Sequence, residues 1–496
     1  MMTQATILLF LFLAVLFMVC IVAIMVLIRA KCKQKAIEKK LGLDIVQADY
    51  LLVYASQSGV TEAYAVQTAK QIEATGRSVV ILNIQQLTKE HLCSARQILW
   101  MVSTYGEGDF PDSAQSFQNT LLNQDIDLSH QKFAILAFGD RRYQEFCEFG
   151  QRIFHWLIKQ KAQSWFEIIT VDQCSEQDLK NWNTQLEQVI GISLNIQSQT
   201  KQWESIVLSA RSLLNSGSIG TGLYQIQLKT PPTMQWKSGD ILEIQCQNSE
   251  EALRQFQSQN SFLMNTDMNL FRYKNLRNTP NYDGNQMLDA WIDQFKSLPI
   301  REYSVASIPE MGTLELVVRQ EVLKDELGIG SGLLTEHLHI GESLLACIKS
   351  NPKFHLMQEN RPRILIGNGS GIAGLLSHLH QCEQWNLKQN WLIFGERQKA
   401  FDSIYSDQLQ QWQRNNILSD LDLVFSRDEN TLKYVQDVLY AKQAQLKSWL
   451  DNGGVIYVCG SLQGMAKGVE ESLYTILGQQ YLDQLKLENR YQRDVY

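Results

Sequence analysis

The sequence predicts an α/β protein that also contains an antiparallel β-barrel, and three changes of texture predict it. From Tyr50 to about Gly191, short apolar strands alternate with amphipathic helices, as in a parallel sheet covered on both faces. From Trp203 the strands become short and alternating, at the spacing of an antiparallel barrel. From Arg363 the parallel texture returns.

In the first region LLVYAS (51–56), SVVILNI (78–84), QILWMVST (97–104) and KFAILAFGD (132–140) are apolar runs of strand length. TEAYAVQTAKQIEAT (61–75) and FGQRIFHWLIKQ (149–160) have helical spacing. Asn195 to Lys201 is polar and reads as a hinge. ESIVLSARSLL (204–214), GLYQIQLKT (222–230), GDILEIQCQ (239–247), TLELVVRQ (313–320) and ESLLACI (342–348) are expected as barrel strands. A Gln- and Asn-rich stretch interrupts them as a helical insertion. RILIGNG (363–369), NWLIFGE (390–396), DLDLVFSRD (420–428) and GGVIYVCGS (453–461) supply the second parallel sheet. The expected boundaries are 1–29 for an apolar anchor, 30–48 for a charged linker and 49–191 for a doubly wound domain. A hinge follows at 192–202, a barrel at 203–357 with its insertion at about 250–297, and a last domain at 358–496.

A chain of 496 residues has room for two to four domains. Its net charge of −7 argues against general nucleic-acid binding. The nine cysteines form no CxxC pair, so neither a metal site nor a disulfide framework is expected. Ile7 to Ile28 is unbroken apolar sequence, about the ~20 residues that cross a bilayer. Arg29, Lys31, Lys33 and Lys35 follow, which predicts a single-pass anchor with the remaining chain cytoplasmic.

Three loops of the first domain follow strand ends, where open parallel sheets bind ligands. Ser56, Gln57, Ser58, Gly59, Val60 and Thr61 offer hydroxyls, a glycine and a helix N-terminus to a phosphate. Thr104, Tyr105 and Gly106 form the second loop; Gly139 and Asp140, leading to Tyr143, form the third. Tyr105 and Tyr143 can sandwich a planar ring. FMN suits this set, and a doubly wound domain with hydroxyl-rich loops and no flavin is the alternative.

Downstream, Arg301 can pair with a diphosphate, Tyr303 can stack, and Ser304 can reach a flavin edge. Gly330 and Ser331, in GIGSGLL (328–334), can serve the same diphosphate. In IGNGSGIAGL (366–375), Gly369, Ser370 and Gly371 lie between strand and helix, where a pyrophosphate meets backbone N–H groups. Ser426 and Arg427 end the next strand and suit a 2′-phosphate, which favours NADPH over NADH; Tyr434 and Gln436 could complete that pocket. Cys459 can sit beside a nicotinamide, and Tyr496 can lie against a flavin ring.

With these residues in view the chain resembles the diflavin reductases, the family of cytochrome P450 reductase and the sulfite reductase flavoprotein. STYGEGD (103–109) and GDRRYQEFCEFG (139–150) resemble its FMN loops. REYSVAS (301–307), GNGSGIAG (367–374), FGER (394–397), FSRD (425–428), KYVQ (433–436), YVCGS (457–461) and RDVY (493–496) match its later landmarks in order. The resemblance implies a flavodoxin-like domain, an FAD-binding barrel and a Rossmann-like NADP-binding domain. It places a hydride-transfer group on Ser304, Cys459 and Asp494, with Tyr496 as the terminal aromatic over the flavin. Val60 stands where the family often has Thr, and Arg141 and Arg142 replace smaller residues. Leu432 occupies a position that is commonly basic, and the barrel insertion is short.

The expected activity is a relay from NADPH to FAD to FMN and on to a one-electron acceptor. A haem protein of the cytochrome type is the first choice of acceptor. A role as the flavoprotein component of sulfite reductase comes second, and a ferric chelate is a further option. Glu107, Asp109, Asp112, Glu145 and Glu148 could steer a basic partner. A flavin-binding scaffold without turnover is the competing class.

Overall fold

The computed structural model describes residues 44–496 apart from 57–58, 105–107, 109, 142–143, 173, 195–200, 283, 285, 324–325 and 430. The chain divides into two compact units, Met1–Gln199 and Thr200–Tyr496.

The first unit is built on strands β1 (Tyr50–Ala55), β2 (Val79–Asn83), β3 (Gln97–Ser103), β4 (Lys132–Gly139), β5 (Gln163–Ser164) and β6 (Ile169–Asp172). They run parallel in the order β2-β1-β3-β4-β5, with β6 also pairing with β4. Successive strand residues face opposite sides, so a sheet covered twice needs near-continuous apolar runs. Leu51, Val53, Ile98, Trp100, Phe133 and Ile135 pack with Phe149, Ile153 and Leu157 of helix Glu148–Lys159. Leu52, Leu99, Met101, Ala134 and Leu136 pack on the other face with Ala65, Ala69, Ile72, Trp182 and Leu186. The last two come from helix Glu176–Ile190; Ser175 caps that helix and Gly191, at φ 68°, ends it.

The second unit begins with an antiparallel sheet. Its strands are β7 (Glu204–Leu213), β8 (Leu223–Lys229), β9 (Ile241–Gln245), β10 (Ile300–Ser304), β11 (Leu314–Arg319) and, after the small hairpin β12 (Val322–Leu323) and β13 (Glu326–Leu327), β14 (Ser343–Lys349). The order is β10-β9-β14-β7-β8-β11. The two outer strands meet at the Val305–Leu316 bridge, which curls the sheet toward closure. Ile206, Leu208, Ile226, Leu228, Leu242, Ile244, Leu316 and Leu344 fill its inside. The insertion between β9 and β10 has a core of its own, in which Phe256, Phe271, Trp291 and Phe295 meet mostly edge to face.

A parallel sheet completes this unit: β15 (Arg363–Asn368), β16 (Asn390–Glu396), β17 (Leu418–Phe425), β18 (Val455–Gly460) and β19 (Tyr491–Val495), in the order β17-β16-β15-β18-β19. β15 sits at its centre and leads through Gly369–Gly371 into helix Ile372–Gln384.

The expected membrane placement is corrected. No helix among the described residues is long and apolar enough to cross a membrane. The apolar segment that prompted the expectation, 7–28, lies outside the described residues. Membrane anchoring therefore has no support and is not carried forward.

Candidate functional site

In the first unit the three loops follow β1, β3 and β4, which lie side by side. The strand order reverses between β1 and β3, and such a reversal opens a crevice at the carboxyl ends of the strands. Ser56 is buried there, and its Oγ accepts from the Gly59 N–H at 2.9 Å. Val60 and Thr61 open helix Val60–Glu73, with Thr61 buried. Thr104 Oγ1 accepts from the Phe149 N–H at 3.1 Å, tying the second loop to the helix that follows the third. Gly108 lies against Glu145, so the second and third loops touch. Gly139 ends β4 and leads to Asp140. Beneath Gly139 is Cys147, a buried thiol whose Sγ lies 3.3 Å from the Ala137 carbonyl and which burial pushes up to about 12. It is a packing residue that the sequence pattern did not single out. Gln57, Ser58, Tyr105, Gly106 and Tyr143 lie outside the described residues, as do Glu107 and Asp109. Of the remaining acidic residues, Glu148 pairs with Arg152 at 2.7 Å and Glu145 is exposed.

The second unit holds the other candidate residues. Arg301, Tyr303 and Ser304 lie on β10. A side chain on Gly330 would come within 2.5 Å of Arg301 Cγ and 2.7 Å of the Tyr303 hydroxyl. The short turn Ile329–Gly332 thus packs directly on Arg301 and Tyr303, and only glycine allows it. Ser331 Oγ accepts from the Glu321 N–H at 3.1 Å. Arg301 forms no ion pair among the described residues, and a guanidinium beside bare backbone suits a diphosphate.

Ser304, Cys459 and Asp494 converge from three strands. Ser304 ends β10; Cys459 and Asp494 are register partners on β18 and β19. The Ser304 hydroxyl donates to Asp494 Oδ2 at 2.6 Å, and Cys459 Sγ lies 3.7 Å from the same oxygen. All three are buried. Burial, and then the Asp494 carboxylate, push the Cys459 thiol well above its usual range, which keeps it protonated. Burial also raises Asp494 above the usual carboxylate range, while the Ser304 hydroxyl pulls the other way. Glu302 and Lys349, paired at 2.7 Å, contribute opposing charges nearby. Sequence reading missed that pair, because neither residue falls in a recognisable motif.

The glycine turn is fitted to Cys459. A Cβ on Gly371 would lie 2.1 Å from the Cys459 carbonyl oxygen, and one on Gly374 3.0 Å from the thiol sulfur. Ser370 Oγ accepts from the Tyr496 hydroxyl at 3.0 Å, so the aromatic side chain that follows β19 is joined to the turn. At the far end of the sheet the Ser426 N–H donates to the Glu396 carbonyl at 2.9 Å, and Arg427 is exposed. Tyr434 is exposed at the start of helix Val435–Ala441, and Gln436 packs near Gly468. Leu432 packs on the apolar core beneath. No hydrogen bond joins Arg427 to Tyr434 or Gln436 among the described residues. No group of side chains able to hold a metal ion occurs among them either.

A flavodoxin family profile matches residues 52–182, and an oxidoreductase NAD-binding domain profile matches 365–471. The chain is 26% identical to the sulfite reductase [NADPH] flavoprotein alpha-component of Aliivibrio fischeri, over 90% of this chain and 89% of that protein. It is 25% identical to the protein of the same name from Bacillus subtilis, over 91% and 90%. The corresponding figures for Photobacterium profundum are 24%, over 90% and 88%. These likenesses support a flavoprotein oxidoreductase of the diflavin reductase kind. The chain carries electrons from NADPH through FAD to FMN, and those three are its cofactors.

Proposed function

We propose that the chain hands these electrons singly to a separate haem protein, and that the acceptor is the haem subunit of a sulfite reductase. The relatives carry this reading: each of the three named is a sulfite reductase flavoprotein component, and each aligns along nearly the whole chain. This reverses the order expected from sequence, where a cytochrome-type acceptor came first.

The flavins supply the redox chemistry, taking electrons in pairs from NADPH and releasing them one at a time. The chain's own residues bind, orient and exclude water. In the first unit Ser56, Gln57, Ser58, Gly59, Val60 and Thr61 would hold the FMN phosphate. Thr104, Tyr105, Gly106, Gly139, Asp140 and Tyr143 would flank its ring. In the second, Arg301, Gly330 and Ser331 would hold the FAD diphosphate, and Tyr303 would pack on the flavin. Gly369, Ser370 and Gly371 would seat the NADPH pyrophosphate, with Ser426, Arg427, Tyr434 and Gln436 around its 2′-phosphate. Tyr496 would cover the flavin face and move aside for nicotinamide.

Hydride transfer moves charge between two rings, and fixed dipoles matched to that charge lower the barrier. Asp494 holds the Ser304 hydroxyl in one orientation. Cys459, kept protonated by burial, acts as a positioning thiol and not as a nucleophile.

The test is reconstitution. The purified chain, loaded with FMN and FAD, is mixed with a sirohaem subunit, sulfite and NADPH, and NADPH oxidation is followed. Sulfite-dependent turnover is the expected result. Reduction of cytochrome c without any sulfite-dependent turnover would return the acceptor to the cytochrome class. Failure of both would leave a flavin-binding scaffold.

A further inference from the structure

Arg319 belongs to none of the residue sets above, yet it stands beside the glycine turn. It ends β11 in the antiparallel sheet. Its Nη1 donates to the Thr221 carbonyl at 3.1 Å, and its Nη2 donates to Oε1 of Glu396 at the end of β16 in the parallel sheet. The Glu396 side chain is 3% exposed and that of Arg319 20%. A guanidinium has five N–H groups, and these bonds use two of them.

The remaining donors have a direction. The point a Cβ on Gly369 would occupy lies 3.6 Å from Arg319 Nη2, 3.8 Å from its Nε and 4.0 Å from Glu396 Oε1, and no other atom is nearer. Gly369 is at φ 57°. Those distances are ordinary van der Waals contact, so the guanidinium lies directly against the turn with the edge formed by its Nε and Nη2 toward it. That edge presents two parallel N–H groups, the geometry that grips a phosphate in bidentate fashion.

We propose that Arg319 is a pyrophosphate-binding residue of the NADPH site, and that Glu396 both presents it and weakens its grip. The inference rests on reading Gly369–Gly371 as the pyrophosphate seat. Glu396 fixes the guanidinium through one N–H of Nη2, so the Nε N–H and the second N–H of Nη2 are the donors a phosphate would meet. Its carboxylate also stands close to where an anion would arrive, and buried like charges repel strongly. Burial already favours the protonated form of Glu396, against the pull of Arg319; Asp402 adds to this and Arg397 opposes it.

The experiment is calorimetric titration of the FAD-loaded full chain with NADP+ and, separately, with adenosine 2′-monophosphate, which has no pyrophosphate. Arg319→Ala is expected to weaken NADP+ binding by roughly ten- to a hundredfold, the range for a lost charge-assisted hydrogen bond. Adenosine 2′-monophosphate binding and FAD content are expected to stay unchanged. Glu396→Gln is expected to tighten NADP+ binding several-fold. Arg319→Ala alone strands a buried carboxylate and could unfold the chain. The double variant Arg319→Ala/Glu396→Gln is therefore compared with Glu396→Gln, and the same loss is expected there. NADP+ binding unchanged by loss of Arg319, equal weakening of both ligands, or loss of FAD would overturn the assignment. Glu396→Gln binding NADP+ no tighter than the parent would overturn the restraining role. A parent chain that bound neither nucleotide would remove the nicotinamide site itself, a result distinct from the others.

Discussion

Replacing Asp494 by Asn keeps the shape of the side chain and removes its charge. The Ser304 hydroxyl, 2.6 Å from Asp494 Oδ2, then loses an ionised acceptor. Hydrogen bonds to charged groups contribute about 1.5–3 kcal/mol, and each ~1.4 kcal/mol is tenfold in rate. If the orientation of Ser304 is needed only as hydride moves, reduction of the flavin by NADPH slows by roughly ten- to 150-fold. Anaerobic stopped-flow measurement of flavin bleaching at saturating NADPH reads this directly, with flavin content and NADP+ affinity as controls. Cys459→Ala removes a longer contact, 3.7 Å from the same oxygen, and a smaller slowing is expected. A bleaching rate within about twofold of the parent for Asp494→Asn would remove the carboxylate from the transfer group. The same substitution has a stability signature. Burial raises the Asp494 pKa in the native state, so the native chain holds that proton more tightly than the unfolded one. Native stability is therefore lost as pH rises through the folded value. Asn cannot ionise, so the variant should melt no lower than the parent at pH 8, and any advantage should shrink on acidification. A clearly lower melting temperature at pH 8 would show that charge burial is not what strains this site.

Gly371→Ala would drive a methyl group to 2.1 Å from the Cys459 carbonyl, where both sides are backbone. A loss of about 1–3 kcal/mol or more is expected, read as a lower melting temperature, and parental melting would mean that the turn does not pack as described. Arg427→Ala is expected to raise KM for NADPH by roughly tenfold without changing KM for NADH, because only one carries the 2′-phosphate. Equal effects on both would place Arg427 outside that pocket.

Much of the architecture was legible because its strands are buried on both faces. NWLIFGE coincides with β16, and RILIGNG covers β15 and runs one residue past it, because strands buried on both faces read as near-continuous apolar runs. β5 and β6, two and four residues long, were invisible, since so short a run carries no period. β19 was missed for a different reason. Gln492, Arg493 and Asp494 make its sequence read as polar, yet Gln492 and Asp494 are buried against partners that only the fold supplies. The glycine turn was legible from spacing, while Arg319 and Glu396 were not, because each ends a separate strand and they meet only in three dimensions.

Ser304 and Asp494 are 190 residues apart along the chain. A ribosome making this protein completes the antiparallel sheet long before the aspartate is translated. The Ser304–Asp494–Cys459 group therefore closes only when the last strand of the chain is in place.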